Sequence, residues 1–190
     1  MDAQNIGDNF IDSARKQFKY YRTLGDKTFD QLDEQDLFYK PDPESNSISI
    51  IVHHISGNML SRWSGFLVED GEKTWRNRDR EFQEVYKTKA EVIEAWNKGW
   101  NCLMEVIDHL TAEDLLKITY IRNQGHTVIE AINRQLAHYP YHIGQILFLG
   151  KMIKKSKWQS LSIPKGKTLG FNAEMFSKPK EIRHYTDDDF

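Results

Sequence analysis

One stretch restricts the fold more than any other. Ile48, Val52, Ile55, Met59, Trp63 and Phe66 recur at spacings of four, three, four, four and three. Large apolar side chains at that period line one face of an α-helix and must be buried against other elements. A chain of 190 residues is long enough to bury them in one domain with a substantial core.

Three further stripes supply the partners. Phe10, Ala14, Phe18 and Tyr21 mark a helix from about Asp8 to Leu24. Val92, Trp96, Trp100, Leu103 and Ile107 mark another, opened by the capping box Thr88-Lys89-Ala90-Glu91, in which Thr and Glu satisfy each other's free N–H groups. Ile132, Leu136, Tyr139, Ile143 and Ile146 or Leu147 mark the last, from about Thr127 to Lys154. Four such helices predict an all-α bundle over residues 1–155.

The punctuation between stripes predicts the smaller elements. Gly25 reads as the stop of the first helix, and Thr28 with Gln31 as the cap of a short helix over 29–32. Pro41 and Pro43 break regular structure, so the second long helix starts at Ser45 or Ser47. Thr111 to Asp114 predicts another short helix. Ile118 to Arg122 alternates weakly, and Asn123-Gln124-Gly125 is a turn signal, which together predict a small hairpin. Val68 to Lys87 has mixed charge and no helical period. Its Trp75 and Phe82 argue against disorder. We read an ordered loop across the bundle end, either functional or simply anchored by those two aromatics.

Beyond Ser156 the helical signal fades. Residues 156–190 read as an extended tail, with Phe171 and Phe176 as anchors, a basic turn-like Ile163-Pro164-Lys165-Gly166-Lys167 and an acidic Asp187-Asp188-Asp189. The net charge of −2 gives no electrostatic reason for binding nucleic acid or an anionic membrane. No apolar run approaches the ~20 residues that span a bilayer. The N-terminus lacks a basic segment followed by an apolar one, so a cytoplasmic protein is expected. A lone cysteine, Cys102, rules out an intramolecular disulfide and a cysteine-based zinc site; it reads as a small core residue.

The chemistry lies in the last helix. His138 and His142 are four residues apart and share one face. About 100° from the apolar stripe runs a more polar one: Ala131, Gln135, His138, His142, Gln145 and Leu149. Polar groups beside a core need partners, and a metal ion or bound ligand is one kind. Tyr139 stands where a His-Glu-x-x-His protease has its glutamate. Pro140, between the histidines, predicts a local kink. A third ligand is needed, and His53-His54 is the remaining histidine site on a strongly amphipathic long helix. The helix angle favours His54 only slightly over His53. The competing reading is that these histidines are satisfied by hydrogen bonds within or beside the core. Gly57, one turn further on, leaves room for close helix packing or for a ligand.

Several segments resemble one family in combination. They are Ile51-Val52-His53-His54-Ile55-Ser56-Gly57-Asn58-Met59-Leu60-Ser61-Arg62-Trp63, Asp70-Gly71-Glu72-Lys73, Trp75-Arg76-Asn77-Arg78-Asp79, Ala131 to His138, and Tyr141-His142-Ile143-Gly144-Gln145-Ile146. The chain is similar to the DinB/YfiT-like metalloenzyme superfamily, and more narrowly to a bacterial branch of it, over residues 1–170. The resemblance implies an up-down-down-up four-helix bundle, commonly a homodimer. It also implies a divalent ion, nickel or zinc, on His54, His138 and His142. Gln135 and Gln145 then become second-layer or substrate residues, and Asn58 and Arg62 could line the same cavity. Pro140 departs from the family pattern, in which a small polar residue is more typical. Three histidines plus water leave an open coordination position. Related proteins include transferases and isomerases that use a low-molecular-weight thiol, so a small-molecule substrate and such a thiol are the expected partners. A noncatalytic metal- or ligand-binding bundle, linked to stress, is the alternative.

Overall fold

The computed structural model of the protein describes residues 3–187, and its main elements follow the apolar stripes. Helix α1 spans Ala3–Phe29, α2 Glu34–Leu37, α3 Ile48–Trp63, α4 Lys89–His109, α5 Val128–Lys154 and α6 Thr168–Ser177. Strands β1 (Ile118–Ile121) and β2 (Gln124–Thr127) pair antiparallel. The four long helices form a bundle in which α3 packs most closely on α4 and α1 on α5. The stripes meet in one core: Phe18, Trp63, Trp96, Trp100 and Tyr139 are all fully buried. Phe18 meets Trp63 edge-on at 6.2 Å and Tyr139 at 6.1 Å, so α1, α3 and α5 share a single aromatic centre. Cys102 is partly buried against that core, with Sγ 3.6 Å from Ser64 Oγ.

The caps explain where the helices start. Ser47 accepts from Ile50 N and opens α3. Thr88 with Glu91, and Thr127 with Glu130, form capping boxes for α4 and α5. Each places a side-chain acceptor on an N–H that lacks an intrahelical partner.

Four expectations need correction. Gly25 does not end α1, which continues to Phe29. A Cβ on Gly25 would stand 2.3 Å from Trp96 Cη2, so the glycine serves close packing of an indole, not termination. The short helix lies at 34–37 rather than 29–32, capped by Asp33 with Asp36. The hairpin turn is at Arg122 and Asn123, both at positive φ (54° and 59°), while Gln124 and Gly125 belong to β2. A two-residue turn with both φ positive matches the twist of the strands. Asp70 makes it tenable here by accepting from the N–H of both Arg122 and Asn123, each at 2.8 Å. Finally, the tail is not wholly extended. It carries α6, and Phe176 is exposed. The contacts that hold the tail are Trp158 against Gly150 on α5, Gln159 N to Gln31 Oε1 (2.8 Å), and Ser13 with His184 (3.0 Å). Asp188 and Asp189 of the acidic run lie outside the described residues.

The 64–88 loop is ordered and folds back along the α3–α5 seam. Its aromatics are not its main anchors: Trp75 is 60% and Phe82 45% exposed. Charged groups hold it instead. Arg62 on α3 donates to Gly71 O and, at 3.2 Å, to Glu72. Among the described residues no helix is long and apolar enough to cross a membrane.

Candidate metal centre

His54 on α3 and His138 and His142 on α5 converge in that seam. Their ring centroids form a near-regular triangle: 4.9 Å from His54 to His142, 4.9 Å from His138 to His142 and 5.6 Å from His54 to His138. Helix α5 is unbroken across Pro140, so the i, i+4 stacking of its two imidazoles survives the missing N–H of that residue. His53 points elsewhere. Its Nδ1 lies 3.4 Å from Gln83 O and its ring meets Tyr86 edge-on.

Each imidazole of the triangle is oriented through Nδ1. His54 Nδ1 lies 2.9 Å from Glu81 Oε2, His138 Nδ1 3.3 Å from Gln135 Oε1, and His142 Nδ1 2.8 Å from Gln145 Oε1. An acceptor at Nδ1 favours the tautomer with its proton there and leaves the Nε2 lone pair free. Among the described residues, these three are the histidine, cysteine or acidic side chains that could hold one ion, with ligand atoms all within 4.8 Å of one another. His142 Nε2 is buried without a hydrogen-bond partner. An orphaned buried acceptor of this kind normally costs about 1–3 kcal/mol, and a cation at the centre of the triangle would satisfy it. Zinc–nitrogen bonds of 2.0–2.1 Å at a tetrahedral angle set nitrogens about 3.3 Å apart. Modest side-chain rotations would close the present spacing, so the residues fit a divalent ion.

The electrostatics agree with a set of neutral donors. Burial pushes the His138 imidazole down to about 3, with the neighbouring His142, His54, Arg134 and Arg76 adding to the effect. Burial pushes His142 down to about 4, against the opposing hydrogen bond to Gln145. Neither ring carries a proton on Nε2 at neutral pH, the state that ligates a metal.

The four expected supporting residues divide. Gln135 and Gln145 hold the two α5 histidines, three residues to either side of the pair. Asn58 is buried, and its Oδ1 accepts from Tyr139 at 3.1 Å; Tyr139 in turn accepts from Trp63 Nε1 at 3.0 Å. It thus stabilises the core beside the triangle. Arg62 is committed to the loop. Sequence reasoning missed Glu81 and Arg76. Burial opposes ionisation of Glu81, but hydrogen bonds from His54 and Arg76 outweigh it and hold the carboxyl below the usual carboxylate range. No periodicity marks a loop glutamate, so only its place near the motif-like Trp75-Arg76-Asn77-Arg78-Asp79 could have drawn attention to it.

The model of one family, described as Protein of unknown function (DUF1572), matches residues 5–167. No curated protein matches the chain.

Proposed function

We propose that this chain, which belongs to the DUF1572 family, is a divalent-metal-dependent enzyme of the DinB-like type. The observation that carries the proposal is the triangle of three imidazoles, two buried and one partly buried, each oriented through Nδ1. His54, His138 and His142 would hold the ion, zinc or nickel. Neutral imidazoles suit either metal. When bound, a divalent ion with three protein ligands supplies Lewis-acid chemistry at an open position and lowers the pKa of a coordinated water or thiol. The chain's own residues do the rest. Glu81, Gln135 and Gln145 orient the rings. Phe82, stacked on His54 at 4.9 Å, and Tyr141, over His142 at 4.0 Å, limit the entry of water from outside.

The resemblance to DinB-like proteins extends the proposal. It supports an up-down-down-up bundle, a homodimer in the cytoplasm, and a small-molecule reaction with a low-molecular-weight thiol, either an S-transfer or an isomerisation. A second reading, a noncatalytic metal- or ligand-binding bundle, is favoured by the burial of His54 and His142, which are only 4% and 7% exposed.

Metal content of the purified protein beside His54→Ala and His142→Ala tests the site. Stoichiometric zinc or nickel in the wild type and its loss in both variants is expected. Equal metal content in all three would sink the assignment. Turnover of an electrophile with bacillithiol or another small thiol, abolished in both variants, then separates enzyme from binder. No turnover across a broad thiol panel would favour the binder.

A further inference from the structure

His54 is tied to the 64–88 loop by two contacts. Its Nδ1 meets Glu81 Oε2 at 2.9 Å, and its ring stacks on Phe82 at 26°. Behind Glu81 stands Arg76, with Nε 2.6 Å from Oε1 and Nη2 2.9 Å from Oε2. The Glu81 and Arg76 side chains are 5% and 1% exposed. Charges buried that deeply persist only where the pairing geometry is close to ideal, and here three donors saturate the two carboxylate oxygens. Helix α3 is shaped to admit the pair: a Cβ on Gly57 would lie 2.7 Å from Glu81 Oε1.

Loop anchoring alone does not account for this arrangement. The other end of the loop is already held by Arg62 on Gly71 and Glu72, and by Asp70 on the hairpin turn. What Glu81 adds is an anionic acceptor on the Nδ1 of one histidine. Such a partner fixes the tautomer, aims Nε2 at the other two rings and raises its basicity. The α5 histidines have neutral amides from their own helix, whereas His54 depends on a carboxylate delivered from outside the bundle.

We infer that Glu81 is a positioning residue for His54, and that through it the 64–88 loop is thermodynamically coupled to metal occupancy of the triangle. A docked loop raises metal affinity, and by linkage a bound ion stabilises the docked loop by the same factor. The inference rests on the proposed metal site.

The test uses the full chain with zinc and cobalt(II) as probes. Zinc affinity is read by chelator competition, ligand geometry by the cobalt visible spectrum, and loop docking by amide hydrogen exchange over residues 72–83. Zinc is expected to protect residues 72–83 in the wild type, and Glu81→Gln to weaken zinc binding about 10–100-fold, shift the cobalt bands, and remove that protection. Gly57→Ala leaves every ligand and the carboxylate in place and favours the helix, yet displaces Glu81. It is expected to weaken zinc binding in the same direction, and it keeps the test decisive where Glu81→Gln fails to fold. Zinc affinity within about two-fold of wild type in the folded variants would overturn the inference, as would zinc protection of α5 without protection of residues 72–83. A wild type that binds no zinc, and so matches His54→Ala, would overturn the metal reading itself and this coupling with it.

Discussion

The two sides of the histidine triangle are built differently. On α5, both imidazoles and both of their amide partners lie on one helix, at 135, 138, 142 and 145. Helical geometry alone brings them together, because side chains three and four apart are neighbours. On α3, His54 contributes a ring but little of its own support. Its carboxylate partner, its stacking partner and the arginine behind them come from residues 76–82 of a loop. One half is therefore as stable as the helix that carries it. The other half is as stable as a loop docked by a buried ion pair, and local openings are expected to start there.

The largest expected effect tests what the halves share. His142→Ala and His54→Ala should each lower zinc affinity by at least about 1,000-fold, since each removes one of three protein ligands. Chelator competition measures it, and a loss below about ten-fold in either would show that the ion does not sit between the two helices. The next effect tests how they differ. Gln145→Ala should weaken zinc binding only a few-fold, less than Glu81→Gln, because a partly exposed amide is replaceable by water while a buried carboxylate is not. Equal losses from the two substitutions would abolish the distinction.

Acid should separate the halves further. His138 and His142 have folded-state pKa values of about 3 and about 4, below the ordinary ~6.5 of the unfolded chain. The unfolded state therefore binds more protons in that window. The stability of the metal-free protein is full above about pH 6.5 and falls as the pH drops toward those folded values. The slope is about 1.4 kcal/mol per pH unit for each imidazole. Urea unfolding of the metal-free protein at pH 7 and pH 5 measures it, and His138→Asn should flatten the dependence. An unchanged slope would mean that the α5 pair is not held neutral by burial. The smallest expected effect is at the start of α5. Thr127→Ala removes the cap that accepts from Glu130 N and should cost about 1 kcal/mol, read by the same urea titration, with zinc affinity at neutral pH nearly unchanged.

Much of this architecture was legible in the chain itself. The four apolar stripes located the four long helices, and the Thr88 capping sequence marked the start of α4. The polar stripe through Gln135, His138, His142 and Gln145 announced half of a site. These signals were readable because each is local: helix periodicity and capping act over three or four residues, within one hydrogen-bonded segment. Where the reading failed, a distant contact had changed the role of a local signal. Gly25 resembles a stop, but Trp96 makes it a packing residue. Asn123-Gln124-Gly125 resembles the turn, but Asp70 stabilises the turn one residue earlier, at Arg122-Asn123. The tail anchors are Trp158 and His184 rather than Phe176.

The same division runs through the site. The sequence by itself determined that two imidazoles would stack on one helical face with amides beside them. The helix angle and the family resemblance pointed to His54 rather than His53 as the third ring, but only the tertiary structure decided that a loop glutamate twenty-seven residues further on would hold it. The physical reason is that a buried ion pair such as Arg76–Glu81 has no periodicity. Its formation depends on which surfaces meet once the bundle has closed, and on the absence of a side chain at Gly57 where they meet.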